Sequence, residues 1–268
     1  MDNEEKTERE FSFRQFWGDS KIRCRVDFRR NATNYCIYCG NLADTREHSP
    51  SKVFLHKPYP NDLPVLPACK RCNNSFSDDE LYSEVYIDSL KYISGVSKEL
   101  TLENKERLYK SFAYYDAQCD YYSYLETGEI PSREKTKKIF VKLALCHSIY
   151  ELLEGYAKEN STFELKSIEY FYRFEKSDKE IKEFLMPIMM NDKVLPQLGS
   201  RAYENIQVLE PVLKSLSDES TQKIQLVIML WTIIQENEYE YVAWIDNDEI
   251  NVRIAIHDFV FINVTFGL

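Results

Sequence analysis

Apolar residues in the middle of the chain repeat at the spacing of a helix. Between residues 139 and 153 they recur every three or four positions, so they share one helical face and predict a buried stripe. Ser132, directly after Pro131, is typical of the start of such a helix. Further helices are predicted for three segments: 81–93, 102–125 and 177–190.

The end of the chain has a different pattern. Runs of β-branched and aromatic residues occupy 239–245, 250–256 and 259–266, and the acidic turn 246–249 separates the first two. Such runs predict an antiparallel meander. The apolar segment 224–234 is expected beside it, either as a strand or as a buried helix.

The first third of the chain predicts shorter secondary-structure elements. Residues 1–10 are almost wholly charged or polar and predict an acidic tail without regular structure. Short strands and a tight turn are expected over 34–57, and a helix from about residue 70. The sequence therefore predicts an α+β protein with three parts: an acidic tail and basic lead-in (1–33), a small cysteine-rich module (34–82), and a helical domain that ends in the β-meander (83–268).

Length and composition narrow the class of protein. The chain has 268 residues, of which 44% are hydrophobic, so it can bury a sizeable core. No apolar run approaches the roughly 20 residues that span a bilayer, and the N-terminus has no secretory signal. We therefore expect a soluble cytoplasmic protein that does not contact a membrane. In that reducing compartment, paired cysteines are more often metal ligands than disulfides.

Four of the seven cysteines form two close pairs, Cys36 with Cys39 and Cys69 with Cys72. Two Cys-x-x-Cys pairs supply four thiolates, which is enough for a closed tetrahedral zinc site. Gly40 follows the first pair and permits the turn that such a site needs. The sequence thus predicts a structural Zn²⁺. The other three cysteines are expected to be small buried apolar residues: Cys24, Cys119 and Cys146.

Charge is unevenly distributed along the chain. The net charge is −10, but residues 14–75 hold eleven basic and five acidic side chains, whereas residues from 81 onward are strongly acidic. A basic segment on an acidic protein favours a polyanionic partner at that segment. The alternative is an ordinary solvated surface that happens to be basic.

Polar residues with catalytic potential lie between and just after the cysteine pairs. An imidazole such as His48 can deprotonate water near neutral pH, and the carboxylate of Glu47 can hold a divalent cation beside a phosphodiester. Asn73 offers a neutral oxygen ligand at a helix start, where Lys70 and Arg71 would also favour a phosphate. The remaining histidines are expected to be structural or solvated: His56 on a loop, His147 packed on a helix and His257 in a turn between late strands.

The order Cys-x-x-Cys, Glu47-His48-Ser49-Pro50, a polar loop, then Cys-x-x-Cys-Asn73 resembles the HNH endonucleases. The resemblance covers about residues 34–80 and implies a ββα-metal core of the zinc-bearing treble-clef type. It implies His48 as general base and Glu47 and Asn73 as ligands of a catalytic cation. Asp78 is close enough in the sequence to reach that cation directly or through water. Asn61 would be the central residue that orients the base, with Asp62 as the alternative.

The predicted function is accordingly metal-dependent hydrolysis of DNA, in the manner of a bacterial defence or mobile-element nuclease. The catalytic ion expected is Mg²⁺, with Mn²⁺ or Ni²⁺ as alternatives, and RNA is not excluded as a substrate. Residues 83–268 could serve as a sensor, specificity or assembly domain that binds a protein partner or a second copy. The competing hypothesis is a non-catalytic zinc module that binds nucleic acid or a protein through its basic segment.

Overall fold

A computed structural model gives the architecture of the protein. It describes residues 22–24, 35–61, 63–97, 111–152, 161–191, 193–196, 198, 200–214 and 221–267. The acidic tail and basic lead-in predicted for 1–33 therefore lie outside the described residues, apart from a short strand, β1, over Ile22–Cys24.

The cysteine-rich segment forms two strands followed by a long helix. Strands β2 (Thr45–His48) and β3 (Val65–Ala68) pair antiparallel, and helix α1 (Lys70–Ile93) begins directly after them. Cys69 is the N-cap of α1, and its Sγ accepts a hydrogen bond from the backbone N–H of Cys72. The predicted helix start near residue 70 is confirmed.

Helix α1 crosses the predicted boundary between the cysteine-rich module and the rest of the chain. It runs without interruption through residues 82 and 83 and packs against two further helices, α2 (Phe112–Thr127) and α3 (Glu134–Leu152). Phe76 on α1 and Phe140 on α3 are fully buried in the same hydrophobic core. Helix α1 thus continues across the predicted division at residue 82, and the hydrophobic core is shared between the two parts.

A six-stranded antiparallel sheet lies against α3. Its strand order is β1-β4-β13-β12-β11-β10. The strands after β1 are β4 (Ser161–Tyr172), β10 (Thr232–Gln235), β11 (Tyr239–Asp246), β12 (Glu249–Ile256) and β13 (Val260–Gly267). The last three strands confirm the predicted meander, and α3 packs on all three.

Strand β4 was not predicted from the sequence. It pairs with β13 over residues 164–172, but the register shifts where Ser167 is opposite Thr265 and Leu165 is opposite Phe266. Lys166 is the extra residue at this bulge. The bulge breaks the alternation of apolar and polar positions, which is the signal that identifies a strand in a sequence.

Two other segments differ from their predictions. The segment 224–234 forms two separate strands, β9 (Leu226–Met229) and β10, and they belong to different sheets. The predicted helix over 177–190 is confined to α4 (Asp178–Phe184) and is followed by strand β5 (Ile188–Met189). The remaining short elements are α5 (Arg201–Glu204), β6 (Ile206–Leu209), β7 (Val212–Lys214) and β8 (Thr221–Lys223).

His147 lies fully buried between α3 and the sheet. Its Nε2 is 2.8 Å from the hydroxyl of Tyr239, its Nδ1 is 3.3 Å from Oγ of Ser49, and its ring stacks on Tyr241 with centroids 3.6 Å apart. Burial lowers the pKa of His147 to about 3, and the charge of Arg201 acts in the same direction. The expectation of a packed histidine is confirmed, and its imidazole is neutral at neutral pH.

We expect acid to destabilise the fold through His147. In the folded chain its pKa is about 3, whereas in the unfolded chain the imidazole takes up a proton near pH 6.5. Its contribution to stability is therefore complete above pH 6.5 and is lost as the pH falls towards 3. Each pH unit in this window lowers the free energy of unfolding by up to about 1.4 kcal/mol.

His147→Gln tests this expectation. The substitution removes the titrating group, so urea denaturation at pH 6.5 and at pH 5 should show a smaller loss of stability in the variant than in the wild type. Comparing the two proteins cancels any acid sensitivity that arises elsewhere. Equal losses would show that His147 is not the source.

Candidate metal centre and catalytic residues

The four predicted zinc ligands come together in space. Cys36 and Cys39 lie in the turn before β2, and Cys69 and Cys72 lie at the start of α1. All four sulfur atoms lie within 4.8 Å of one another, and those of Cys39 and Cys69 are 3.7 Å apart. Around zinc with Zn–S distances of about 2.3 Å, tetrahedral sulfurs lie about 3.8 Å apart. The cluster could therefore hold a structural metal ion such as zinc.

The turn that carries Cys36 and Cys39 has a conformation that suits metal binding. Gly40 has a positive φ of 69°, and its N–H donates to the carbonyl of Cys36 at 2.9 Å. The side-chain amide of Asn41 donates to Sγ of Cys39 at 3.2 Å. Hydrogen bonds with Cys36 and then with Cys72 hold the pKa of the Cys39 thiol far below its ordinary value of 9.0. The same thiol hydrogen bonds raise the pKa values of Cys36 and Cys72. The thiolate, which is the form that binds a metal, is therefore favoured at Cys39 in particular.

The other cysteines differ from one another. Cys146 is buried on α3, as expected, and lies 3.3 Å from the hydroxyl of Tyr38. Cys119 is exposed on α2, so the expectation that it is buried was wrong. The side chain of Cys24 is not among those that the structure describes.

Loss of one ligand should empty the cysteine cluster and loosen the start of α1. Cys69→Ser removes a thiolate and the sulfur that caps the helix, and structural zinc is bound together with folding. We expect the variant to lose the near-ultraviolet thiolate charge-transfer band of a Co²⁺-substituted protein and to unfold at lower temperature. Cys119→Ser is the matched control, because its thiol is exposed and outside the cluster. An unchanged Co²⁺ spectrum in Cys69→Ser would contradict the assignment.

Glu47 does not face His48. Its carboxylate is buried, 4% exposed, and its Oε1 is 2.9 Å from the Nζ of Lys142 on α3. Lys142 is itself only 1% exposed, and its ammonium also donates to Ser51 at 2.7 Å and to Glu80. A carboxylate that already pairs with an ammonium does not suit a cation. For Glu47 to act as a cation ligand beside Asn73, as predicted, its ion pair with Lys142 would have to open.

The protonation of this buried group follows from its surroundings. Burial raises the pKa of Glu47, although Lys142 acts in the opposite direction. Burial alone would lower the pKa of Lys142, but Glu47 and Glu80 raise it. The sequence contained a signal for this partner that was not used: Lys142 is a single charge inside the apolar run 139–149.

Asn73 braces the helix against the hairpin. Its Nδ2 donates to Oγ1 of Thr45 at 3.1 Å and to the carbonyl of Arg46 at 3.2 Å. Within the described part of the chain, its Oδ1 makes no hydrogen bond. Asn73 therefore has a structural role through its nitrogen, and its oxygen remains available for a ligand.

His48 lies at the end of β2 on the outer face of the hairpin. It is opposite Val65, which is 39% exposed, whereas Glu47 is opposite the buried Leu66. Burial lowers the pKa of His48, and the charges of Lys52 and Lys142 lower it further. The imidazole is therefore neutral near pH 7, and it makes no hydrogen bond or ion pair to any described residue.

The other two predicted site residues are exposed. Asn61 lies on the loop between β2 and β3, and Asp78 lies on α1. Among the described residues no hydrogen bond joins either of them to His48. Asp62, the alternative to Asn61, is outside the described residues.

The described surface of this segment is basic. Glu47 is buried, and the exposed Asp44 accepts a hydrogen bond from the backbone N–H of Lys70 at 2.6 Å. Five basic side chains between residues 35 and 75 are exposed: Arg46, Lys52, Lys57, Lys70 and Arg71. Burial of Glu47 thus leaves the outer face more positive than the sequence count suggested.

A second group of polar residues was missed in the sequence. His257 is 2% exposed; its Nδ1 is 2.6 Å from Oε2 of Glu238, and its Nε2 is 3.0 Å from Oε2 of Glu84. His56 lies 3.1 Å from the same oxygen of Glu238 through its Nε2. Burial lowers the pKa of His257, but the charge of Glu84 and the hydrogen bonds outweigh it and raise the pKa to about 10. His257 lies in the predicted turn, and its partners come from distant segments.

Comparison of the chain with protein-family models, with curated proteins and with solved structures gives no match. Within the described ranges, no helix is both long enough and apolar enough to cross a membrane.

Proposed function

We propose that the protein is a metal-dependent endonuclease of the HNH type that hydrolyses phosphodiester bonds of DNA. One observation carries this proposal: a two-stranded hairpin and the first turn of α1 meet at the cysteine cluster, and His48 ends the first strand on the open face. This is the order of parts expected for a ββα-metal core of the treble-clef type. The imidazole of His48 makes no hydrogen bond or ion pair to any described residue, which is consistent with its contacting a ligand.

His48 would act as the general base. Its lowered pKa keeps the ring neutral near pH 7, so a ring nitrogen can accept the proton of the attacking water. General-base assistance of this kind accelerates a reaction by about 10²–10⁴-fold. The exposed basic residues around the hairpin support DNA as the substrate, because they would bind backbone phosphates.

The residues fit a catalytic cation only in part. Asn73 keeps its Oδ1 available and could supply one ligand to Mg²⁺, Mn²⁺ or Ni²⁺. Asp78 is exposed but lies five residues later on α1, about 140° around the helix from Asn73. Glu47 does not fit, because it is buried in the ion pair with Lys142. The bound cation would stabilise negative charge on the phosphate, and no step of the reaction is assigned to Glu47.

The burial of Glu47 is the observation that favours the second candidate. If the segment only binds nucleic acid, the carboxylate of Glu47 does not have to bind a cation and can form a buried ion pair instead. This non-catalytic zinc module would use the same exposed basic residues and would not depend on His48.

Incubation of supercoiled plasmid with the full chain distinguishes the two. We expect nicked and then linear DNA in the presence of Mg²⁺, Mn²⁺ or Ni²⁺, and no conversion when EDTA is in excess. A protein that shifts the plasmid in a gel but cleaves it with none of the three ions would contradict the nuclease and favour the binding module.

A further inference from the structure

The residues His56, Glu84, Asp88, Glu238 and His257 form a cluster, here called the histidine cluster, away from the four cysteines. We propose that His56, Glu238 and His257 bind a second transition-metal ion, with Zn²⁺ as the preferred ion. This site is separate from both the cysteine cluster and the proposed catalytic centre.

The ligand atoms are already close to the required arrangement. Oε2 of Glu238 lies 2.6 Å from Nδ1 of His257 and 3.1 Å from Nε2 of His56, and all three ligand atoms lie within 4.8 Å of one another. Tetrahedral ligands at about 2.0–2.1 Å from zinc are about 3.3 Å apart. Binding therefore requires Oε2 of Glu238 to move away from each imidazole nitrogen by less than about 1 Å.

The set of ligands suits zinc rather than a harder cation. Two imidazoles and one carboxylate are ligands that Zn²⁺ prefers, whereas Mg²⁺ and Ca²⁺ select oxygen. Three protein ligands leave a fourth position for water. His56 is 41% exposed on its side chain and gives the ion a route from solvent.

The ligands come from separate segments of the chain, and local contacts and backbone conformation fix the positions of His56 and His257. The side chain of Gln235 forms two hydrogen bonds with the backbone of His56, at 2.8 and 2.9 Å, and so fixes its loop to β10. His257 and Asp258 both have positive φ, 56° and 48°, in the turn between β12 and β13. Only a few per cent of residues other than glycine adopt this conformation, and it directs the imidazole of His257 into the cluster.

A further carboxylate completes the arrangement around His257. Oε2 of Glu84 lies 3.0 Å from Nε2 of His257, on the side of the ring opposite Glu238. A carboxylate on the distal nitrogen orients a ligating histidine and makes it a better ligand. Glu84 is thus a positioning residue, and it assigns Nδ1 to the metal. Glu84 and Asp88 could hold an ion with Nε2 of His257 instead, but that set has one imidazole and two carboxylates.

The same atoms can share protons instead of a metal ion, and metal content separates the two states. The full chain is dialysed against excess Zn²⁺, and bound zinc is measured per chain by mass spectrometry of the metal. We expect two zinc ions in the wild type and one in both His56→Ala and Glu238→Gln. His48→Ala is the matched control and should keep two.

Affinity gives a second measurement. Glu84→Gln should still bind two ions, but the ion at the histidine cluster should dissociate about 10–100-fold more readily than in the wild type. In Co²⁺-substituted protein, the second ion should add visible bands without thiolate charge transfer, and His56→Ala should lose only those bands. One zinc per chain in the wild type, or two in His56→Ala, would overturn the proposal. Neither result depends on DNA cleavage, so the proposed nuclease stands or falls separately.

Discussion

Replacement of His48 by alanine is expected to abolish plasmid cleavage while the chain keeps its fold, its zinc and its affinity for DNA. The side chain makes no hydrogen bond to any described residue and lies on the outer face of the hairpin, so little stability depends on it. Loss of a general base lowers the rate by about 10²–10⁴-fold. The measurement is the rate of conversion of supercoiled plasmid under single-turnover conditions.

Val65→Ala provides the matched control for this experiment. Val65 is the residue opposite His48 on β3 and is also partly exposed, so the variant alters the same surface without removing an imidazole. Its cleavage rate should stay within a few-fold of the wild type. Wild-type cleavage by a well-folded His48→Ala protein would eliminate the nuclease mechanism and leave the binding module.

Lys142→Ala is expected to be among the most destabilising single substitutions in the chain. It leaves the carboxylates of Glu47 and Glu80 without their ammonium, and Glu47 is 4% exposed. Removing one partner of a buried ion pair costs about 3–5 kcal/mol, because the remaining charge is uncompensated. Urea denaturation monitored by circular dichroism measures this loss.

Lys138 offers the comparison on the same helix. Its Nζ pairs with Asp79, and the two side chains are 22% and 17% exposed. This pair is closer to solvent than Lys142 with Glu47, so Lys138→Ala should cost less than Lys142→Ala. In Lys142→Met combined with Glu47→Gln, much of the stability should return, since fewer charges remain buried. If Lys142→Ala costs no more than Lys138→Ala, then the buried pair does not stabilise the hairpin.

The elements that could be predicted depend on local patterns. The start of α1 at Lys70 follows from the cysteine pair beside it, and the three final strands follow from their runs of β-branched and aromatic residues. Strand β4 escaped prediction because the bulge at Lys166 interrupts its alternation of apolar and polar residues. The continuation of α1 past residue 82 could not be predicted, because the pattern shows which face of α1 is apolar but not which residues cover it.

The candidate site shows the same limit more sharply. The four cysteines could be assigned from spacing alone, because two residues between them let their sulfurs converge. The role of Glu47 depends on Lys142, which is 95 residues away in the chain. A sequence motif identifies the residue types near a site. Whether the carboxylate of Glu47 binds a cation or pairs with an ammonium depends on Lys142, which is not part of the motif.

Helix α1 connects the cysteine cluster with the histidine cluster. Its 24 residues extend about 36 Å at 1.5 Å per residue; the first turn carries Cys72, and later turns carry Glu84 and Lys91, both of which contact His257. A cut at residue 82 would divide this helix and expose the apolar side chains that it shares with α3. We therefore expect that residues 34–82, moved into another protein, would fold only together with the helices and strands that pack on α1 here.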